Sequence, residues 1–439
     1  MKYIFPVVFF FVISGCSTPG SGLFTQKSPH ERYGQALVQA GLDQSVLGLK
    51  WFSAADSGLT SPLQVAVPYS EKGFFDAAEP QAVGLRFPVR EGEKIQLQLE
   101  KKPASGFQLF FELWELRDND RPPKLIKAAD STEAVIDHVV AASGRYLVRL
   151  QPELLGTGEY QLSISSGPSL AYPIDAPGKN HIKSFWGAAR DGGARSHEGI
   201  DLFAARLTPV VAAADGRVTR VNNNRLGGKV VWMQPENTNY SLYYAHLDSQ
   251  LVQAGQRVST GDTLGLMGNT GNARTTAPHL HFGIYSRGGA VDPLPFVNPQ
   301  RREPDALPES SALIDTEARH FSVRSRSGAR MFIAPDAKSE AIQQIPSGTV
   351  LQVRSFNRDW YRIQTPDHQL GFIPRSALIS ASEPLRTQQL TAATPLLAKP
   401  DSISPHKQTL DPGQQVKILG QFSSWYFVHT GDNLGWILK

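Results

Sequence analysis

Hydrophobic and polar residues alternate with a period of two along much of the chain. The clearest examples, between residues 60 and 167, are three separated runs: Ile95, Leu97 and Leu99; Tyr146, Val148 and Leu150; and Tyr160, Leu162 and Ile164. Clusters of Gly and Pro separate the runs. Because alternation places every second side chain on one face of a strand, the pattern predicts an antiparallel β-sandwich here.

A helical period occurs near the start of the chain, after a tether rich in Gly, Pro, Ser and Thr at 17–27. In the stretch SPHE, Ser28 can cap a helix, Pro29 suits its first position and Glu31 completes a capping box. Spacings of i, i+3, i+4 and i+7 then predict one face of a short helix, formed by Tyr33, Ala36, Leu37 and Ala40.

The C-terminal part contains an internal repeat. Residues 335–373 and 400–437 both run through a PD pair, a turn containing Gly, a WY pair and a G-aromatic-I segment. Corresponding residues are 65 positions apart: Pro335 and Pro400, Gly348 and Gly413, and Trp360 and Trp425. This repetition predicts two copies of one small β-barrel. The alternative for Trp360, Trp425 and Trp436, that they are only core residues, stays open.

The first residues read MKYIFPVVFFFVISGC. Lys2 precedes an apolar run too short to span a bilayer, and Ser14 and Gly15 lead to Cys16, the single cysteine. The stretch ISGC resembles the lipobox of bacterial lipoproteins, which implies cleavage before Cys16 and lipidation of that residue. Ser17, in place of the aspartate that often retains lipoproteins in the inner membrane, favours the outer membrane facing the periplasm. The alternative is a secretory signal without lipidation.

Composition narrows the classes of partner. Lys and Arg number 44 against 40 Asp and Glu, a net charge of +4 with a pI near 9.0. This balance suits an anionic envelope, but no run of Lys and Arg is dense enough to predict nucleic-acid binding. One cysteine excludes an internal disulfide. At 439 residues the chain is too long for one core.

Histidines carry the candidate chemistry, in the stretches SHEGID, YYAHLD and PHLHFGIY. His279 and His281 are two apart, so on a strand both side chains point to one face. His197 and Asp201 are four apart, and Gly199 between them disfavours a helix. Two imidazoles and a carboxylate suit catalytic zinc, with a remaining histidine to handle the proton. The candidates for these roles are His197, Asp201, His246, His279 and His281.

At these residues the chain resembles the lysostaphin/LytM-type peptidoglycan metalloendopeptidases, which pair an H-x-x-x-D motif with a distant H-x-H motif. The resemblance also covers LTPVVAAADGRV (207–218) and GQRVSTGDTLGLMGNTG (255–271). It implies that His197, Asp201 and His281 bind one zinc ion and that His279 and His246 are catalytic. It further implies hydrolysis of D-Ala–meso-diaminopimelate cross-links of peptidoglycan. The alternative is a non-catalytic activator of a murein amidase.

Residues around the first motif, and the tyrosines near His246, are candidates for supporting roles. SHEGIDL begins like the helical zinc-protease motif H-E-x-x-H, but the β context makes Glu198 a neighbouring or solvent-facing residue. Some family members have an oxyanion-stabilising tyrosine just before the motif. AARDGGAR (188–195) has none, which leaves this role to Tyr243, to Tyr244 or to the histidines alone. Arg190 and Arg195 are interpreted mainly as solvated loop charges, with substrate contact as the alternative.

The sequence therefore predicts a mainly β, multidomain protein. Its sandwich weakly resembles pre-peptidase modules of secreted bacterial proteases, and its repeats resemble bacterial SH3-like domains. That resemblance implies binding of cell-wall peptide or envelope protein partners. The expected segments are a signal peptide at 1–15, a tether with short helices at 16–57, the sandwich at 58–168, the peptidase domain at 178–300, and barrels at 318–380 and 387–439.

Overall fold

The computed structural model describes residues 27–103, 105–117, 121–129, 135–178, 181–308, 323–431 and 433–439. Cys16 and the predicted signal segment lie outside these residues, so lipidation stays a prediction. Within the described ranges, no helix is both long and apolar enough to cross a bilayer.

Helices α1 (Pro29–Gln39) and α2 (Val46–Thr60) pack on the sandwich. The predicted capping box is confirmed, because Ser28 Oγ accepts from the Glu31 amide and Glu31 accepts from the Ser28 amide. The predicted short helix is confirmed. On its apolar face Leu37 is buried and Tyr33 half-buried, whereas Ala36 and Ala40 are exposed. His30 is buried instead, stacked on Trp51, because its ring hydrogen-bonds to Gln151 inside the interface.

The predicted β-sandwich is confirmed. One sheet has the strand order β1-β3-β8-β5-β6, and the facing strands run β2-β9-β4-β7. All nine residues of the alternating runs are buried between them. The pairing is antiparallel except between β1 and β3, which run parallel. The strands are β1 (Leu63–Gln64), β2 (Tyr69–Phe75), β3 (Val83–Val89), β4 (Glu93–Lys102), β5 (Leu109–Leu116), β6 (Lys124–Ala129), β7 (Val135–Val139), β8 (Gly144–Pro152) and β9 (Gly158–Pro168).

The next region forms a second β unit around its own core, in the sheet order β10-β13-β20-β17-β16-β15-β18. The strands β14 and β19 pair with each other, and β19 also pairs with β17. Its elements are β10 (Ile182–Ser184), β11 (Ala189–Arg190), β12 (Arg195–Ser196), β13 (Ile200–Phe203), β14 (Pro209–Val211), β15 (Gly216–Asn224), β16 (Gly228–Pro235), β17 (Ser241–Gln250), β18 (Arg257–Val258), β19 (Thr263–Met267), β20 (His279–Ser286), β21 (Gly289–Val291) and α3 (Leu294–Val297).

The C-terminal repeat is confirmed by its topology. The first copy has the order β24-β23-β27-β26-β25 with β22 beside β25, and the second has the equivalent order β31-β30-β34-β33-β32-β29. The strands are β22 (Val323–Ser325), β23 (Ala329–Phe332), β24 (Ala341–Ile345), β25 (Val350–Phe356), β26 (Trp360–Gln364), β27 (Leu370–Pro374), β28 (Leu378–Ser380), β29 (Arg386–Gln389), β30 (Thr394–Leu397), β31 (His406–Leu410), β32 (Gln415–Phe422), β33 (Trp425–Thr430) and β34 (Asn433–Leu438).

The repeated tryptophans have different burial. Trp360 and Trp425 begin equivalent strands and are half-buried, whereas Trp436 is only 1% exposed. Trp436 packs in a buried cluster with residues of the second barrel and with Val350 of the first, so it is a buried packing residue between the two barrels.

The units contact one another through strands and ion pairs. Strand β2 of the sandwich pairs with β25 of the first barrel, so the two share one continuous sheet. Glu71 on β2 is fully buried at this junction, facing Arg362 of β26. The second β unit contacts the sandwich where Tyr240 donates to Glu91 (2.9 Å). Arg302, which follows the second β unit, pairs with Glu93 (2.8 Å).

Candidate active site and metal centre

Strand pairing brings the two histidine motifs together. In the antiparallel pair β13–β20, Asp201 lies directly opposite His281, and Phe203 lies opposite His279. Side chains in such positions are direct neighbours on one face of a sheet. His197 precedes β13 by three residues and reaches the same cleft. The prediction that His279 and His281 share a strand and a face is confirmed, since both line this cleft.

Three candidate ligand atoms converge at one point. His197 Nε2, Asp201 Oδ1 and His281 Nδ1 are each 3.0 Å from the other two. A tetrahedral zinc ion with ligands at about 2.0–2.1 Å sets its ligand atoms about 3.3 Å apart, so the triangle needs only a slight expansion. Within the described part of the chain, this is the only group of His, Cys, Asp or Glu with such geometry. The donor set fits zinc.

Hydrogen bonds outside the triangle orient the ligands. His197 Nδ1 lies 2.9 Å from the carbonyl oxygen of Phe185. A carbonyl only accepts, so Nδ1 carries the proton and Nε2 keeps its lone pair for a metal. Burial alone would raise the pKa of Asp201, but without a metal the adjacent His197 and His281 rings, when protonated, lower it well below its usual range through their contacts and charges. A carboxyl that stays ionised is the form that binds a cation.

Gly199 lets the two motifs approach each other. A Cβ at this position would lie 2.6 Å from the Phe282 carbonyl oxygen and 2.7 Å from Cε1 of His281. Neither atom can move away easily, because one belongs to the backbone of β20 and the other to the ligand ring. The position of Gly199 in H-x-G-x-D therefore has no room for a side chain. This is a second reason for a glycine there, besides its low helix propensity.

His246 and His279 lie beside the triangle, with ring centroids 5.0 Å apart. The Nδ1 atom of His246 is 2.8 Å from the Thr270 carbonyl, and that of His279 is 2.9 Å from the Ala277 carbonyl. Both rings therefore donate from Nδ1 and retain an acceptor at Nε2. Burial lowers the pKa of His246 to about 4, and the charges of His279 and His281 act in the same direction. At neutral pH the His246 ring can accept a proton.

The backbone of His246 is also unusual, with φ of 64° in the left-handed region. Non-glycine residues adopt this region at a cost, and such residues concentrate at functional sites. The amide of His246 donates to the Gly227 carbonyl (2.7 Å), which holds the residue in this conformation.

The cleft around these residues has a volume of about 480 Å³. One wall is aromatic, with the Trp232 ring 4.4 Å from Tyr243 and 5.3 Å from Tyr285, centroid to centroid. Of the two tyrosines considered for oxyanion stabilisation, Tyr243 lines the cleft. Tyr244 is buried in the core, where its hydroxyl accepts from the Ala213 amide (3.0 Å). Glu198 is exposed at the rim, in agreement with its predicted neighbouring position.

The interpretation of Arg190 as a solvated loop charge is wrong. Arg190 Nη2 donates to Asp201 Oδ2 (2.6 Å) and to Ser184 Oγ (2.7 Å). Its side chain is 33% exposed. No spacing signal links Arg190 to Asp201, because a tight hairpin of β11 and β12 folds the chain back between them. Sequence reasoning therefore missed this contact.

Two parts of the chain match known families. Residues 195–293 match Peptidase family M23, and residues 327–379 match the Bacterial SH3 domain. The chain therefore contains an M23 peptidase domain and a bacterial SH3 domain. Peptidases of family M23 are zinc metallopeptidases, and the His-Asp-His triangle lies inside the matched segment.

Curated relatives include both enzymes and an activator. An uncharacterized metalloprotease of Haemophilus influenzae is 34% identical over 193 residues, covering 44% of this chain and 37% of that protein. The peptidoglycan DD-endopeptidase ShyC of Vibrio cholerae is 39% identical over 106 residues, covering 24% of each chain. The murein hydrolase activator NlpD of Salmonella dublin is 34% identical over 140 residues, covering 31% of this chain and 35% of that protein. The matches thus span less than half of each relative.

Proposed function

We propose that the protein is a zinc-dependent endopeptidase that hydrolyses peptide cross-links of peptidoglycan. The observation that supports this most is that three atoms able to bind zinc meet at one point. Beside them, His246 and His279 hold their protons on Nδ1 and keep Nε2 free to accept one. His197, Asp201 and His281 would hold a single zinc ion. His246 and His279 would be the catalytic residues.

The chemistry follows from these protonation states. When bound, zinc supplies Lewis acidity, which lowers the pKa of a water towards neutral and polarises a carbonyl. His246 and His279 each keep Nε2 as an acceptor, so either ring can take the proton of the attacking water. The resulting imidazolium can then donate to the oxygen on which negative charge develops. Tyr243 lines the same cleft and can donate a further hydrogen bond from its hydroxyl.

The substrate and location are proposed from sequence resemblance together with the relatives. A lipid anchor at Cys16 would hold the protein at the outer membrane, facing the periplasm. The cross-link available there is the D-Ala–meso-diaminopimelate bond, and ShyC is named as a DD-endopeptidase. The SH3-like barrels would bind wall peptide or an envelope protein and keep the peptidase domain near its substrate.

Digestion of purified sacculi tests this function, with the released peptides identified by mass spectrometry. The zinc-loaded protein is expected to release peptides cut at the D-Ala–meso-diaminopimelate bond. His281→Ala is expected to lose both bound zinc and cutting. His181→Ala is the matched control, because His181 lies in the same domain but bonds only to the Phe203 and Pro177 carbonyls. Sacculi left uncut by fully zinc-loaded protein would refute the proposal.

The second candidate function is activation of a separate murein hydrolase without catalysis, and similarity to NlpD favours it. A non-catalytic activator has no need of a complete ligand triangle, so zinc content separates the two. About one equivalent of zinc per chain supports the enzyme. A value near zero, together with stimulation of an added amidase, supports the activator.

A further inference from the structure

The contact between Arg190 and Asp201 joins the rim of the cleft to the metal triangle. Asp201 uses its two oxygens differently: Oδ1 faces His197 and His281, and Oδ2 accepts from Arg190. The aspartate side chain is only 7% exposed. Its second oxygen is thus already engaged at the wall of the cleft.

Arg190 is itself held from two sides. The nitrogen that donates to Asp201 also donates to Ser184, the residue that pairs with Asp201 across β10 and β13. The hairpin that carries Arg190 is fastened to the neighbouring ligand, because the His197 amide donates to the Ala188 carbonyl (2.9 Å). The His197 carbonyl in turn accepts from the Gly187 amide (3.0 Å). Arg190 therefore has little freedom to leave Asp201.

We infer that Arg190 is a positioning residue, which restricts Asp201 to a single-oxygen ligand and so keeps one coordination position of the metal open. A catalytic zinc site needs three protein ligands and an open fourth position. An aspartate that turned both oxygens to the metal would occupy that position. The Arg190 guanidinium bound to Oδ2 prevents the carboxylate from turning both oxygens to the metal. If water alone solvated Oδ2, nothing would prevent that turn. The inference rests on the metal site of the proposed function.

Charge and geometry predict opposite effects when Arg190 is removed. A cation so close to the site repels a metal ion, so loss of charge alone would tighten zinc binding. Loss of ligand orientation weakens binding, typically by about 10–100-fold when a group that holds a ligand is removed. Weaker zinc binding by the variant would therefore show that ligand orientation dominates, and tighter binding would show that charge repulsion dominates.

The test measures zinc affinity by competition with a chromophoric chelator, using the full chain and the variants Arg190→Ala and Arg190→Lys. Arg206→Ala is the matched control, because Arg206 is an exposed arginine that pairs with the half-buried Asp248 in the same domain and touches no member of the triangle. We expect Arg190→Ala to bind zinc about 10–100-fold more weakly. Arg190→Lys should recover part of the loss, and Arg206→Ala should stay within about twofold of the unsubstituted chain.

Cobalt provides the second readout, because four-coordinate Co²⁺ absorbs visible light more strongly than five- or six-coordinate Co²⁺. The Co²⁺ form of Arg190→Ala should lose visible absorption, as Asp201 becomes a two-oxygen ligand. Unchanged or tighter zinc binding by Arg190→Ala would overturn the inference, as would a Co²⁺ spectrum identical to that of the unsubstituted chain. Neither readout requires hydrolysis, so uncut sacculi would refute the proposed function alone. Circular dichroism of the metal-free variants verifies that they fold.

Discussion

The buried carboxylate at the junction of sandwich and barrel allows a quantitative prediction. Glu71 is fully buried, and its two oxygens accept from the Tyr69, Tyr160 and Ser355 hydroxyls. Arg362 of the first barrel adds two charge-assisted bonds, at 3.3 Å from Nε and 3.1 Å from Nη2. Arg362 is itself 4% exposed. Sandwich and barrel therefore meet through a desolvated ion pair.

Removing one member of this pair leaves the other charged and desolvated. Breaking a buried ion pair in this way costs about 3–5 kcal/mol, whereas an exposed pair contributes at most about 1 kcal/mol. With a urea m-value of about 2 kcal/mol/M, the variant Arg362→Met should lower the unfolding midpoint by about 1.5–2.5 M. The double variant with Glu71→Gln should be destabilised by less than the sum of the single changes, because the two residues interact.

Urea unfolding followed by tryptophan fluorescence and circular dichroism measures the shift. The control is Arg358→Met, since Arg358 lies in the same barrel and pairs with Asp305 at 3.1 Å while 67% exposed. Hydrogen exchange in β2 and β25 locates the loss at the junction. A midpoint for Arg362→Met no lower than that of Arg358→Met would refute the reasoning.

The same carboxylate sets a pH dependence of stability. Burial alone would raise the pKa of Glu71, but the Arg362 charge and the hydroxyl donors bring it below its usual value of 4.5. Because the folded pKa lies below the unfolded one, the stabilisation is complete above about pH 4.5 and is lost as the pH falls further. Glu71→Gln should therefore show a flatter loss of stability below this pH than the unsubstituted chain.

Further predictions concern the cleft and the second barrel. Gly199→Ala should weaken zinc binding at least about tenfold, since its Cβ meets His281; chelator competition measures this, with the open position Gly144→Ala as control. His246→Ala should keep zinc but lower kcat by about 10²–10⁴-fold, measured with a cross-linked muropeptide; a smaller loss would remove His246 from the catalytic residues. Trp436→Ala should lower stability in urea unfolding by about 3–5 kcal/mol, because it empties the buried cluster that the two barrels share, and a loss below about 1 kcal/mol would contradict this packing role.

Local patterns in the sequence determine much of the fold. Alternation predicted the buried face of the sandwich strands, the SPHE stretch predicted the start of α1, and the 65-residue repeat predicted two barrels of equal topology. Each of these signals acts between residues near one another in the chain, or repeats along it. The strand geometry of His279 and His281 belongs to the same class, because a period of two is a local property.

Only the tertiary structure decided which distant residues meet. The register of β13 against β20 sets Asp201 opposite His281, and a one-residue slip would turn one of the two side chains away from the cleft. The same pairing explains why Gly199 must lack a side chain, and the pairing of β17 with β20 turns Tyr243, not Tyr244, towards the site. The contacts of Arg190 with Asp201 and of Glu71 with Arg362 also arise from long-range packing. Composition and spacing do not predict such contacts, because the contacts depend on how strands far apart in the chain are registered and packed.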